Sequence, residues 1–221
     1  MTWWFPEAVS TYGLQIDRLF VLILGITGAI FVLVEGALLW FLIRYRARPG
    51  TSAAYIHGSA RAEIIWTIVP ALIVVYLAFA SQRVWSHIQG PPPPHQAEVE
   101  VKAEQFAWNV RYAGADGQFG TDDDVETINQ LHLPVNQVVL VHLTSKDVIH
   151  SFFLPQFRLK RDAVPGLTGR VWLQATKTGN FEIVCAELCG LGHYRMRGFL
   201  TIESLEEFQQ WLITTKAEQS S

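Results

Sequence analysis

The polar and apolar positions of this 221-residue chain change their rhythm twice. From Leu19 to Ile43 the sequence LFVLILGITGAIFVLVEGALLWFLI runs for 25 residues with one charge, Glu35. At a helical rise of about 1.5 Å per residue, this run can cross a bilayer core. A second run, IIWTIVPALIVVYLAFA from Ile64 to Ala80, follows Glu63. Its Pro70 would break a soluble helix but is tolerated in a membrane one. GPPPPHQ, residues 90–96, is then a stiff extended spacer, because consecutive prolines admit neither helix nor ladder. Beyond it, EVEVKAEQFAWNVRY and QVVLVHLTS alternate polar and apolar residues as half-buried strands do. Shorter strand-like runs follow at GRVWLQA, NFEIV and GFLTIE. Many short strands punctuated by Gly and Pro predict a β-sandwich or barrel. In the closing SLEEFQQWLITT, Ser204 and Glu207 form a capping box, and Leu205, Phe208, Trp211 and Leu212 make one apolar helix face.

The organisation expected from this pattern has three parts. Residues 1–89 hold an N-terminal segment and a transmembrane hairpin, with helices at about 17–44 and 63–87. Residues 90–96 are the linker, and residues 97–221 form an all-β domain with a C-terminal helix at about 204–215. A signal peptide would be shorter and would begin with basic residues, whereas Glu7 and Asp17 precede the first run, so the helix is read as retained. The loop between the spans carries Arg44, Arg46, Arg48 and Arg61. The positive-inside rule places it in the cytoplasm and both termini on the opposite side. Trp40, Trp66 and Trp85 fall near the span ends, where aromatic belts form. The net charge of −3 argues against a nucleic-acid partner. Glu35, inside the first span, is a functional candidate by position, but packing against a partner helix would satisfy it equally, so it is assigned no role. The loop AGADGQFGTDDDVE, residues 113–126, offers Asp116, Asp122, Asp123 and Asp124 as oxygen donors for Ca²⁺. Its spacing departs from the EF-hand pattern, and a solvated acidic loop is the expected reading.

The chemistry concentrates in CAELCGLGHYRM, residues 185–196, which holds Cys185, Cys189, His193 and Met196. These are the chain's only two cysteines. A disulfide between them would close a loop of a few residues, contribute little stability, and leave His193 and Met196 unexplained. Structural zinc favours Cys and His and seldom takes Met. Thiolate, imidazole and thioether together on a β scaffold select copper. Cys189, His193 and Met196 read as the closing loop of a blue-copper site, with His150 of DVIHSFFLP supplied from the end of an earlier strand. The additional Cys185 exceeds what one ion needs. Two thiolates can bridge two copper ions, each ion keeping one His, with Met196 and a backbone carbonyl as weak outer ligands.

The intact pattern C-x-E-x-C-G-x-x-H-x-x-M resembles subunit II of the haem-copper oxidases, most closely that of cytochrome c oxidase. DVIHSFFLP, LKRDAVPG (residues 159–166) and EIIWTIVP are similar to segments of the same family, so the resemblance covers nearly the whole chain. It implies a cupredoxin-like domain of Greek-key type after the hairpin and a binuclear CuA centre. The implied ligands are His150, Cys185, Cys189, His193, Met196 and the backbone carbonyl of Glu187. It further implies that the Glu187 side chain helps hold Mg²⁺ at the boundary with subunit I. Glu63 matches a carboxylate at the mouth of a proton pathway, and anchoring of the helix at the interface explains that residue equally well. The family often carries Q-W-x-W in the first strand, its first Trp receiving electrons from cytochrome c. Here the run is QFAWNVRY, so Phe106 takes that position and Trp108 is the next aromatic.

The function this implies is electron transfer from cytochrome c to haem in subunit I, where O₂ is reduced to water. The implied partners are subunit I, subunit III, cytochrome c and membrane lipid, and the implied location is a bacterial inner membrane. No C-x-x-C-H haem-attachment run is present. The copper subunit of a nitric oxide reductase would share the motif. Quinol oxidase subunits share the fold but lack the copper ligands. A membrane-anchored copper chaperone usually has one span and places its His after the cysteines, whereas His150 precedes them here. For a basic cytochrome, the expected docking acids are Asp122, Asp123, Asp124, Glu126 and Asp147, with Trp108 as an exposed aromatic candidate.

Overall fold

The computed structural model of the chain describes residues 5–220. They divide into two compact units, one of residues 15–87 and one in which residues 5–14 join residues 88–220.

Two helices account for the first unit, α1 (Gly13–Arg44) and α2 (Ala60–Gln89). Both are apolar enough to cross a membrane, and none of their most apolar windows is buried by protein. Phe31, Leu33, Ile43, Leu72 and Phe79 are all exposed. Apolar surface of this extent requires lipid or a protein partner to cover it. Each helix extends beyond the apolar run that predicted it, because backbone hydrogen bonding continues through the flanking polar residues. Glu63 lies in the first turn of α2 and Arg44 in the last turn of α1, where each charge opposes the helix dipole. Thr27 donates its hydroxyl hydrogen to the Ile23 carbonyl at 2.8 Å, so this polar group is satisfied inside α1.

The second unit is a sandwich of two five-stranded sheets. One sheet contains β1 (Ala97–Glu104), β2 (Ala107–Tyr112), β3 (Val125–Ile128), β5 (Val138–Ser145) and β8 (Gly169–Gln174), in the order β3-β2-β1-β5-β8. The other contains β4 (Gln130–Pro134), β6 (His150–Leu154), β7 (Leu159–Ala163), β9 (Gly179–Cys185) and β10 (Arg197–Glu203), in the order β4-β10-β9-β6-β7. The run EVEVKAEQFAWNVRY is therefore a hairpin rather than one strand. It reverses at Gln105 and Phe106, and Val99, Val101 and Ala103 pair with Tyr112, Val110 and Trp108. All six are buried, so the alternation seen in the sequence belongs to two strands whose register aligns their core faces. Leu131, Leu133, Val141, Leu143, Phe152, Leu154, Ile183 and Leu200 complete the interior. Each such side chain contributes about 1.5–3 kcal/mol by leaving water.

Residues 5–12 were expected to belong with the membrane helices but are built into the β-domain. Val9 donates its N–H to Gln156 (2.9 Å) and accepts from the Thr176 N–H (2.8 Å). Ser10 Oγ donates to the Phe157 carbonyl (2.7 Å). Tyr12 is fully buried, edge-on to Trp172, with its hydroxyl on the Trp172 carbonyl (3.2 Å). Residues 5–12 are thus part of the β-domain.

Helix α3 (Leu205–Gln219) closes the domain. Its capping box forms as expected between Ser204 and Glu207. Phe208 is buried and Trp211 stacks on His132 at 3.9 Å. Leu205 is 41% exposed and so does not share the buried face.

Candidate metal centre

Three strand ends meet at one end of the β4-β10-β9-β6-β7 sheet, on its three central strands. His150 opens β6 and Cys185 closes β9. The two strands are antiparallel neighbours, Phe152 being paired with Cys185. The chain then runs through Cys189 and a short 3-10 turn, His193–Arg195, to Met196 at the start of β10. The Cys185 N–H donates to the Met196 carbonyl and ties the two ends of this loop together.

Six donor atoms converge inside the loop. The Cys185 and Cys189 sulfurs lie 3.8 Å apart, and both cysteines are free thiols. His150 Nδ1 lies 3.9 Å from Cys185 Sγ, and His193 Nδ1 lies 3.7 Å from Cys189 Sγ. Met196 Sδ is 3.2 Å from His150 Nδ1 and 3.7 Å from Cys189 Sγ. The Glu187 carbonyl oxygen is 3.3 Å from Cys185 Sγ. His150, Cys185, Cys189 and Met196 are buried. Every ligand expected from the sequence is therefore brought to one place. The set contains two thiols, two imidazoles that present Nδ1, a thioether and a carbonyl. That is more soft donation than a tetrahedral zinc site uses, and it suits copper.

A carboxylate that the sequence did not connect to this cluster orients His150. Asp147 Oδ1 lies 2.9 Å from His150 Nε2. A carboxylate only accepts, so Nε2 carries the hydrogen and the Nδ1 lone pair faces the sulfurs. Asp147 also accepts from the backbone N–H groups of Gln105 (2.7 Å) and Val148 (2.6 Å). Burial raises its pKa, but the hydrogen bonds from His150, Gln105 and Val148 outweigh burial and hold the carboxyl at about 2. The Cys189 thiol moves the other way, pushed up to about 11 by burial and by the adjacent Cys185. A bound metal ion reverses that preference, because a coordinating thiol loses its proton.

The Gln105–Phe106 turn clamps the ligand loop from outside. Gln105 Nε2 donates to the Cys189 carbonyl at 2.6 Å. The Phe106 ring lies over Gly190 and Gly192 so closely that a Cβ on Gly192 would sit 2.5 Å from it. Phe106 keeps 38% of its surface exposed. Trp108, expected as an exposed aromatic, is instead fully buried, with its ring edge-on to His150 at 6.2 Å. The period-2 pattern of β2 explains this, since Trp108 shares its inward phase with Val110 and Tyr112.

The acidic loop lies away from this cluster. It follows Tyr112, six residues along β2 from Phe106, or about 20 Å at strand rise. Its acids are largely engaged. Asp124 is buried, accepts from the Gly120 N–H and pairs with Arg111, which also pairs with Glu126. Asp123 accepts from Thr121 Oγ1 and the Asp116 N–H. Of the expected docking acids, Asp147 alone lies beside the ligands. Glu187 is exposed within the loop, and Glu63 is exposed at the start of α2.

Comparison with known proteins agrees with this construction. Residues 103–204 match the family described as "Cytochrome C oxidase subunit II, periplasmic domain", and residues 1–84 match "Cytochrome C oxidase subunit II, transmembrane domain". The "Alternative cytochrome c oxidase subunit 2" of Bradyrhizobium diazoefficiens is 32% identical, over 95% of this chain and 83% of that protein. The "Cytochrome c oxidase subunit 2" of Thermostichus vulcanus is also 32% identical, over 93% of this chain and 76% of that protein. Among solved structures, the periplasmic domain of subunit II of cytochrome oxidase from Bradyrhizobium japonicum superposes with a TM-score of 0.52. It is 31% identical and covers 58% of this chain and 99% of that domain. The β-domain is accordingly cupredoxin-like, lies on the outer side and is anchored by two helices. This chain belongs to the cytochrome c oxidase subunit II family, as a subunit of a respiratory haem-copper oxidase whose Cys–His cluster fits a CuA site.

Proposed function

We propose that the chain is the electron-accepting subunit of its oxidase, taking electrons from cytochrome c and delivering them to haem in subunit I, where O₂ is reduced to water. The convergence of six donors from His150, Cys185, Glu187, Cys189, His193 and Met196 carries this reading. Those residues would hold a binuclear copper centre, the two cysteines, the two histidines, Met196 and the Glu187 carbonyl supplying its donors. When bound, the copper pair supplies reversible one-electron transfer. Asp147 fixes the tautomer of His150, so that no proton must leave Nδ1 when the ligand is engaged. Burial of Met196 and His150 excludes water from one side of the cluster. Phe106, half-exposed against the ligand loop, is the surface aromatic at which the donor makes contact.

The remaining assignments follow the same reading. The exposed Glu187 carboxylate helps hold Mg²⁺ against subunit I, and Glu63 stands at the mouth of a proton pathway in that subunit. The complex includes subunit III and lies in a bacterial inner membrane. Residues 90–96 are the linker between the hairpin and the copper domain. The test is stopped-flow mixing of reduced cytochrome c with the copper-loaded chain. The proposal expects cytochrome oxidation with loss of the copper–thiolate absorption in step. Cytochrome that stays reduced while a small-molecule reductant bleaches the chain would contradict this donor.

A further inference from the structure

The loop that leaves the first membrane helix folds into a basic cleft. Helix α1 ends at Arg44, directly after the apolar run that closes at Ile43. The stretch RYRARPGT then holds Arg44, Arg46 and Arg48. The chain reverses at Pro49–Gly50. Gly50 has φ +78°, as the third position of a type II turn requires, and Pro49 supplies the fixed φ of the second. The Arg48 carbonyl accepts from the Thr51 N–H at 3.2 Å and from Thr51 Oγ1 at 2.8 Å, which closes the turn. Residues 51–56 are thereby brought back beside the end of the helix, and the two segments border a cleft of about 870 Å³.

The lining of this cleft is cationic and apolar at once. Arg44, Arg46 and Arg48 border it, and no acidic side chain does. Arg44 lies over the Tyr45 ring at 5.4 Å, and none of the three arginines forms an ion pair among the described residues. Phe41 and Ile56 line the same cleft and are exposed. Trp40, Phe41 and Tyr45 meet with ring centroids 5.0 to 6.0 Å apart at the helix end, where an aromatic belt reaches the headgroup layer. The positive-inside rule asks for charge in such a loop, but not for its gathering in one cleft. Arg61, the fourth arginine of the loop, does not border it.

We infer that this cleft binds the headgroup of one anionic phospholipid. The arginines meet its phosphate, while Phe41 and Ile56 lie against its glycerol and upper acyl carbons. A guanidinium pairs with phosphate through two parallel hydrogen bonds, so each arginine offers geometry as well as charge. A lipid suits the cleft better than free phosphate, because the cleft begins where the apolar run ends and apolar side chains border it.

The test is native mass spectrometry of the full chain in neutral detergent, titrated with phosphatidylglycerol or with phosphatidylcholine of the same acyl chains. One phosphatidylglycerol should be retained per chain, at least about tenfold more tightly than phosphatidylcholine. Arg44→Gln, Arg46→Gln and Arg48→Gln should each weaken retention about fivefold, the effect of one basic residue at a membrane surface. Arg61→Gln should change it by less than about twofold. All four side chains are exposed, so their replacement leaves the fold intact. The inference is overturned if the two lipids are retained equally, or if inorganic phosphate at the same concentration displaces the lipid. It is also overturned if Arg61→Gln weakens retention as much as the cleft variants do, since the basic surface would then act as diffuse charge.

Discussion

Removing the Asp147 carboxylate probes how the protein prepares its copper site. Asp147→Ala deletes the acceptor for His150 Nε2 and for the backbone N–H groups of Gln105 and Val148. The two backbone groups lie at exposed loop positions where water can replace the lost acceptor. His150 is fully buried, so its Nε2–H is left without a partner. An orphaned buried donor costs about 1–3 kcal/mol. Outer partners of metal ligands are generally worth about 10–100-fold in affinity, or about 1.4–2.7 kcal/mol, so two independent routes give the same range. The neutral ring is also free to place its hydrogen on Nδ1, which opposes copper binding. Asp147→Ala should therefore weaken copper binding about 10–100-fold. Asp147→Asn keeps one carbonyl acceptor and should lose less than about tenfold. The assay is copper competition against a calibrated chelator on the full chain, with ¹⁵N chemical shifts of His150 reporting the tautomer in the metal-free form. Wild-type affinity in Asp147→Ala, or equal loss in Ala and Asn variants, would show that His150 does not depend on this acceptor.

Four further outcomes follow from the same geometry. Cys185→Ser and Cys189→Ser should each leave a mononuclear site, seen by EPR as loss of the hyperfine pattern of an electron shared between two copper nuclei; survival of that pattern in either variant contradicts the bridging role. Met196→Leu nearly conserves buried volume, so it should cost less than about 1.5 kcal/mol of stability and retain most copper, while shifting the midpoint potential in voltammetry. Gly192→Val forces the Phe106 ring off the ligand loop and should slow cytochrome oxidation in stopped flow without removing the copper. Replacing Asp122, Asp123 and Glu126 by their amides should leave the rate and its salt slope close to wild type, since that loop lies away from the ligands; a flattened slope would place the donor there after all.

Much of this molecule was legible in the sequence because its signals are local. Two long apolar runs, the proline spacer and four copper-type donors within twelve residues survive without any knowledge of packing. His150 could be added because it follows an alternating strand. What escaped depends on contacts between distant segments. Nothing in residues 5–12 announces that Val9, Ser10 and Tyr12 join strands beyond residue 150. The reversal at Gln105 and Phe106 has no Gly, Pro or Asn at the turn itself to mark it, and only a slip in the alternation at Glu104–Trp108 records it. Once it is placed, the burial of Trp108 and the exposure of Phe106 follow. Asp147 looked like a surface acid for docking; His150 is only three residues on, but the local turn that aims the carboxylate at Nε2, fixed in part by the Gln105 N–H, has no signature in the sequence.

One loop and one strand end are proposed to hold two copper ions between two cysteines. Copper quantitation on the purified full chain, with EPR of the same sample, tests it most directly. The expected result is two copper ions per chain and one unpaired electron shared equally by both nuclei. One copper per chain with hyperfine structure from a single nucleus would contradict it.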